Sequence, residues 1–235
     1  MDYKVCILAA GVGSRMQHFS QHLNKVLLPV RGKPTICHII EKFPENIEIV
    51  IAVGHKKESL ITFLKTAYPN RKLTFVEVSP YVGEGSGAGY SLLSCKNHLM
   101  CPFVHIAGDT LVKETITCPD SNWLGISKAQ IKDSERFCSV KLNEDTVIRI
   151  DDKIKTDNKY AYIGVLGVKD YEPFWDALEK NNRIIDGEIQ ISNGMQPLLE
   201  KGLKVKNFTW FDTGTPKAYE YSIKNYPFGD GYTGD

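Results

Sequence analysis

The chain has 235 residues, enough to bury about three-quarters of its unfolded surface without help from a metal or a disulfide. Lys plus Arg number 29 and Asp plus Glu 28, a net charge of +1. That balance argues against a nucleic-acid coat or a membrane-surface binder, both of which carry a basic excess. Hydrophobic residues at 42 % and charged residues at 24 % are an ordinary globular mixture and disfavour disorder. No apolar run approaches the ~18 residues of a membrane span. The opening residues MDYKVCILAAG read as a buried strand rather than a signal peptide, so a cytoplasmic protein is expected. Cys6, Cys37, Cys95, Cys101, Cys118 and Cys138 include no C-x-x-C pair and read as free thiols of a reducing compartment. No two close ligand pairs for zinc occur.

In chain order, Val5 to Ala10 predicts a strand buried on both faces. Ile36 to Lys42 predicts a helix, with Pro34 suited to its first turn. Strands follow at Glu48 to Val53 and Leu73 to Val78, separated by a helix from Lys57 to Thr66. A helix from Tyr90 to Leu99 leads into a strand from Phe103 to Ala107, which runs into Gly108-Asp109. This is a βα repeat, and in such sheets ligands sit at the carboxyl ends of the strands. Beyond Asp109 the regularity weakens. Strands are expected at Ser139 to Leu142, Val147 to Ile150, Tyr162 to Val168 and Val205 to Phe211. Helices are expected at Tyr171 to Lys180, Ile191 to Glu200 and Pro216 to Lys224. The expected fold class is α/β, a mostly parallel Rossmann-like sheet flanked by helices. One domain spans 1–235, with a first half over 1–110, a second half over 111–226 and a loose tail over 227–235.

The chemistry-bearing residues begin at Leu8-Ala9-Ala10-Gly11-Val12-Gly13-Ser14-Arg15-Met16. Glycines after a strand permit a tight turn and expose N–H groups to an anion. Arg15 adds a planar fork of donors matched to phosphate oxygens. Taken alone, this segment is equally an ordinary strand-to-loop turn. A dinucleotide fingerprint would have Gly where Met16 stands, and no G-K-[ST] follows, so Rossmann and P-loop readings are disfavoured. Ser14 has no G-x-S-x-G context. His18, His22, His38, His55, His98 and His105 show no metal-ligand spacing and read as structural.

A second segment, Lys25-Val26-Leu27-Leu28-Pro29-Val30, is followed by Gly32-Lys33-Pro34. Together with the glycine turn it resembles the signature of the sugar nucleotidyltransferases (nucleoside-diphosphate-sugar pyrophosphorylases). That family reads L-A-A-G-x-G-[ST]-R-[LM], then P-K, then L-L-P-V-x-G-K-P. Asn24 departs from the family's Pro before the lysine, and Gln17-His18-Phe19-Ser20 departs from its P-L-T. The resemblance extends over most of the chain. Gly83-Glu84-Gly85-Ser86-Gly87-Ala88-Gly89 is similar to the glycine loop that touches base and ribose. Gly108-Asp109-Thr110 is similar to the G-D whose Asp holds magnesium. Asp152-Lys153 is similar to E-K-P, with Lys155 as a local competitor for the lysine's role. Tyr162-Ile163-Gly164-Val165 is similar to the strand whose glycine lies under the sugar. Gly187-Glu188-Ile189-Gln190-Ile191-Ser192 is similar to G-E-x-Q-[LI]-[ST], with Asn193 where the family has Asp. Trp210-Phe211-Asp212-Thr213-Gly214-Thr215-Pro216 is similar to W-x-D-x-G-T-P.

The resemblance implies a GT-A-like sheet with an acceptor-binding lobe in its second half. It implies transfer of a nucleotidyl group from a nucleoside triphosphate to a sugar 1-phosphate, with release of pyrophosphate, to supply an activated sugar for a surface glycan. Arg15 and Lys25 are then the catalytic cations. Leu8, Ala9, Ala10, Gly11, Gly13, Ser14, Gly85, Ser86, Gly87 and Gly89 contact the nucleotide. Asp109 and Asp212 hold Mg²⁺, and Lys153, Gly164 and Glu188 face the phosphorylated acceptor. The expected partners are these small molecules, with no nucleic acid or membrane, and self-association is left open. Three alternatives stand beside this reading. One is a cytidylyltransferase acting on a phospho-alcohol such as phosphocholine. Another is a GT-A glycosyltransferase, against which the Gly108-Asp109-Thr110-Leu111 sequence lacks a D-x-D. The third is an inactive subunit, against which Arg15, Lys25, Asp109 and Asp212 are all present.

Overall fold

A computed structural model describes residues 2–181 and 183–227. The expected loose tail lies outside the described residues apart from Pro227. Nine strands form one twisted sheet: β1 (Lys4–Ala9), β2 (Ile49–Val53), β3 (Leu73–Glu77), β4 (Phe103–Ala107), β5 (Trp123–Ser127), β6 (Cys138–Asn143), β7 (Thr146–Asp152), β8 (Tyr160–Val168) and β9 (Lys204–Phe208). Their spatial order is β3-β2-β1-β4-β8-β5-β9-β7-β6. The first four run parallel, as the βα repeat predicts. β8 then enters antiparallel between β4 and β5. β9 is parallel to β5, and the β6–β7 hairpin closes the far edge antiparallel. The sheet is therefore parallel in its first half and mixed as a whole.

The apolar run of β1 faces two cores because alternate side chains point to opposite faces. Val5, Ile7 and Ala9 pack with Val104 and Ile106 against α1 (Thr35–Ile40), α2 (Lys57–Ala67) and α6 (Pro216–Asn225), through Ile36, Leu60, Leu64 and Tyr219. Cys6 and Ala10 join Phe103 and Leu166 on the other face. That face is covered by α3 (Ala88–Ser94), α4 (Tyr171–Lys180) and α5 (Gln196–Glu200), through Leu92, Phe174, Trp175 and Leu198. Among the described residues no helix is long and apolar enough to cross a membrane.

Two departures from the expected elements shape the functional end. The strand β5, buried at every position, falls where the sequence reads as irregular. The expected strand Val205 to Phe211 breaks at Thr209. Up to Phe208 it pairs with β5, and from Trp210 to Asp212 it pairs instead with Thr110–Val112, placing Asp212 opposite Thr110. Glu114 explains the break. Its carboxylate accepts the Thr209 N–H at 2.7 Å and the Thr209 hydroxyl at 2.9 Å, and receives Lys128 Nζ at 2.5 Å. Burial alone would raise the Glu114 carboxyl. The Lys128 and Thr209 donors outweigh it and bring it from the ordinary 4.5 to about 2.

A second local device aims the first loop. Asn24 is fully buried. Its amide donates to Ala9 O at 3.0 Å and His55 O at 2.8 Å, and its carbonyl accepts the Val26 N–H at 3.1 Å. It thus caps the single helical turn that begins with Lys25 and ties that turn to the ends of β1 and β2. A proline there could make none of these side-chain bonds.

Two predictions follow from these devices. Asn24→Ala strands buried polar groups and should lower stability by about 2–3 kcal/mol, read as a shifted midpoint in urea unfolding with an unchanged slope. Glu114 has a folded pKa below its unfolded value, so its stabilisation is present above about pH 4.5 and is lost as pH falls towards about 2. Glu114→Gln should therefore flatten the acid limb of the stability profile across that window and cost on the order of 1 kcal/mol at neutral pH.

Candidate active site

A cleft of about 900 Å³ opens at the carboxyl ends of β1 and β4, a volume at the upper end of the range for small-molecule sites. Its first wall is the turn Ala10 to Arg15, and Lys25 lies deeper. Gly13 takes a left-handed backbone with φ of 67°. A Cβ there would also press on Lys25 at 3.2 Å and Ser20 at 3.3 Å, so the bare glycine lets the Lys25 chain pass beneath the turn. Gly108 lies tighter still, against β1: a Cβ would lie 2.5 Å from Leu8 O.

At the centre, Lys25 Nζ lies 2.6 Å from Asp109 Oδ2, with both side chains 17 % exposed. Arg15 Nη2 stands 3.9 Å from the same oxygen on a side chain 71 % exposed. Burial pushes the Asp109 carboxyl up, but Lys25 and then Arg15 pull it below its ordinary value. Asp212 goes the other way, raised by burial and by the charge of Asp109. Its backbone is held by Ser222 Oγ, which donates to Asp212 O at 2.8 Å. The Gly214 N–H donates to Asp212 Oδ1 at 2.8 Å. A Cβ on Gly214 would sit 3.0 Å from Asp109 Oδ2 and 3.0 Å from Asp212 Oδ1. The two carboxylates therefore converge on one bare glycine.

This convergence tests whether a divalent cation fits. A hard cation takes oxygen ligands, and one shared by these carboxylates would relieve the repulsion that raises Asp212. No third His, Cys, Asp or Glu joins them among the described residues. The donor set fits a hard divalent cation.

The second wall comes from the latter half of the chain. Gly164 has φ of 81°, and a Cβ would meet Ala107 Cβ at 2.7 Å, so β8 can lie tightly over β4 only with glycine there. Lys153 also has a left-handed backbone, φ 54°, and its Nζ pairs with Asp186 at 3.1 Å. Lys155 is exposed and lies outside the cleft lining. Glu188 is exposed on the short hairpin of Ile184–Ile185 and Glu188–Ile189, where Gln190 Nε2 donates to its carboxylate at 3.1 Å.

The glycine loop joins the two walls. The Gly85 N–H donates to Gly187 O at 2.9 Å, and the Ile189 N–H donates to Ser86 O at 2.8 Å. Gly87 and Gly89 are bare for this contact: Cβ atoms would meet Glu188 Cβ at 2.7 Å and Gln190 O at 2.6 Å. The expected nucleotide contacts divide between cleft lining and packing. Ser86 and Gly87 line the cleft with Leu8, Ala10, Gly11, Gly13 and Ser14, whereas Ala9, Gly85 and Gly89 do not. Ala9 points into the α1 and α6 side of the core, and Gly89 packs against the second half of the chain.

Several cleft residues were not among the expected contacts. Asp186 holds Lys153, Asp152 holds Ser192, and Tyr162 and Trp210 present a hydroxyl and an indole N–H that are buried without a partner. Tyr162, Asp152 and Trp210 each lie inside a recognised motif, but motif membership does not say which side chains turn inward. His105 lies fully buried at the floor of the cleft, with neither ring nitrogen in a hydrogen bond. Burial pushes its pKa down to about 3, so the imidazole is neutral, in keeping with a structural role.

Residues 5–115 match the model of the MobA-like NTP transferase domain. The chain is 29 % identical over 237 residues to the bifunctional protein GlmU of Methanococcus vannielii, covering 93 % of this chain and 55 % of that protein. It is 24 % identical over 232 residues to the low-salt glycan biosynthesis nucleotidyltransferase Agl11 of Haloferax volcanii, covering 91 % of this chain and 63 % of that one. The chain thus spans little more than half the length of these curated relatives. Among solved structures it is similar to the CTP:phosphocholine cytidylyltransferase LicC of Streptococcus pneumoniae. That match has a TM-score of 0.76 and 20 % identity, covering 95 % of this chain and 99 % of that one, and it shows the shared α/β fold. The motif residues thus gather in one cleft, and the chain is similar to nucleotidyltransferases along nearly its whole length, with its first half matching the MobA-like NTP transferase domain.

Proposed function

We propose that the chain transfers a nucleotidyl group from a nucleoside triphosphate to a sugar 1-phosphate, releasing pyrophosphate. The activated sugar would serve a surface glycan, and the reaction would take place in the cytoplasm. One observation supports this reading: Arg15, Lys25, Asp109 and Asp212 converge in a cleft that Lys153, Gly164 and Glu188 also line. On this reading residues 1–110 form the nucleotide half of one domain and residues 111–226 the acceptor half. A glycosyltransferase fits less well, since no D-x-D follows β4.

The reaction brings two anions together. A sugar-phosphate oxygen attacks the α-phosphorus in line, and the bond to the pyrophosphate oxygen breaks. The attacking oxygen is already ionised near neutral pH, so no strong base is needed. Positioning and charge stabilisation do most of the work. Arg15, exposed at the mouth, is free to swing onto the triphosphate. Lys25 is held in place beside Asp109 and presents a fixed charge under the glycine turn. Asp109 and Asp212 would hold Mg²⁺, which supplies positive charge to the phosphate oxygens when bound. Lys153 would meet the acceptor phosphate, and Glu188 would accept its hydroxyls. The indole N–H of Trp210 and the Tyr162 hydroxyl are further unpaired groups on the acceptor wall.

Pyrophosphate release tests this assignment directly. Arg15→Ala and Lys25→Ala should each lower turnover by about 10²–10³-fold, and wild-type rates in both would refute it. Chelation should abolish activity, and Mg²⁺ or Mn²⁺ should restore it. Full activity of Asp109→Asn at low magnesium would place the metal elsewhere. Lys153→Ala and Glu188→Ala should raise KM for the acceptor and change triphosphate affinity by less than about threefold. Lys155→Ala, outside the cleft, should change neither.

A further inference from the structure

The lysine expected to meet the acceptor phosphate already holds an anion of the chain itself. Lys153 Nζ lies 3.1 Å from Asp186 Oδ2, with the lysine side chain 25 % exposed and the aspartate 71 %. Both residues line the cleft. To an ammonium, a carboxylate oxygen and a phosphate oxygen are alike, each an anionic acceptor of a charge-assisted hydrogen bond. Asp186 therefore takes the partner position on Lys153 that an acceptor phosphate would need.

The backbone sets both members of this pair. Lys153 has φ of 54°, a left-handed conformation that persists in a long side chain only where the surroundings fix it. Its N–H donates to Phe137 O at 3.0 Å, which holds the bend just after β7. Asp186 and Gly187 have φ of 52° and 78° and lie between the paired residues Ile185 and Glu188. Two left-handed residues of the type Asp-Gly make a tight two-residue hairpin turn. That turn places Asp186 at the hairpin tip, where it meets Lys153.

The hairpin has little to hold it. Each of its strands is two residues long, and it pairs with no strand of the main sheet. A ribbon this short has no independent stability, so its position depends on its ties to the walls. On one side these are the Gly85 to Gly187 and Ile189 to Ser86 backbone bonds. At the tip it is the Asp186 pair. The hairpin thus runs from the loop expected to touch the nucleotide to the lysine expected to touch the acceptor.

We propose that the Ile184–Ile189 hairpin is a strap latched by Asp186 on Lys153, and that an acceptor phosphate binds Lys153 by displacing Asp186. This rests on reading Lys153 as the acceptor-phosphate contact. Asp186 is then a positioning residue that competes with the substrate and stays away from the reacting atoms. Its release loosens the hairpin and carries the arrival of the acceptor to Ser86 and Gly87.

Asp186→Asn tests the latch, because Asn-Gly keeps the turn and removes the charge. Inorganic phosphate is the probe, titrated calorimetrically into the full chain. A partly exposed ion pair holds back binding only modestly, so the variant should bind phosphate about two- to fivefold more tightly. In a Lys153→Ala background the same substitution should change phosphate affinity by less than about 1.5-fold, since the latch has no partner there. In turnover, Asp186→Asn should lower KM for the phosphorylated acceptor by the same two- to fivefold and leave kcat unchanged. Hydrogen exchange gives a reading on the wild type alone: phosphate should speed exchange at the Gly85 and Ile189 amides, and Asp186→Asn should show the faster rate without phosphate. Unchanged or weaker phosphate binding by Asp186→Asn overturns the inference. So does a gain that survives Lys153→Ala, which would reflect only the field of the carboxylate, and so does hairpin exchange indifferent to phosphate. Pyrophosphate release from a triphosphate with none of the latch effects refutes the inference and keeps the nucleotidyltransferase reading. Latch effects with no pyrophosphate released from any triphosphate do the reverse.

Discussion

Two like charges held side by side are the constraint on which the rest of the site depends. Asp109 and Asp212 come from positions more than a hundred residues apart, and each would be costly to bury near the other without compensation. Lys25 compensates Asp109 at 2.6 Å, while Asp212 is left raised by burial and by its neighbour. The asymmetry leaves one carboxylate committed to a protein cation and the other with no ion pair of its own among the described residues.

Much of the surrounding structure holds this arrangement in place. Asn24 fixes the turn that carries Lys25. The Thr213 N–H and hydroxyl both donate to Asp109 O, at 2.9 and 3.0 Å, tying the two segments together just beyond the carboxylates. Glu114 diverts the late strand at Thr209 so that Asp212 leaves the main sheet and pairs beside Thr110. Without that diversion, the register of β9 along β5 would carry residues 210–212 past the end of the sheet and away from Asp109.

The glycines divide into groups with different physical reasons. Gly13 supplies a left-handed turn over Lys25, and Gly214 keeps the space between the carboxylates open. Gly87 and Gly89 permit the first half of the chain to dock on the hairpin of the second. The loop expected to meet the base is thus also the seam of the cleft. Movement of the hairpin that carries Glu188 would therefore be felt at Ser86 and Gly87, so the geometry couples the two walls.

The βα repeat was legible because each of its strands is a continuous apolar run closed by a turn, and its helices show one apolar face. The motif residues Arg15, Lys25, Asp109, Asp212, Lys153, Gly164 and Glu188 were legible as a set from their order and spacing, and the fold gathers them in one cleft. β5 was not legible, because a strand buried on both faces and interrupted by Gly125 shows no period. The break at Thr209 was not legible either, since it depends on a carboxylate 95 residues earlier. Sequence alone determined which residues carry charge and which segments form the strands of the βα repeat, because these follow from local composition. Only the tertiary structure decided which carboxylate meets a lysine, which glycines touch protein rather than open space, and that Asp152 is buried against the Ser192 hydroxyl. Those outcomes depend on contacts between distant parts of the chain, which no local pattern encodes.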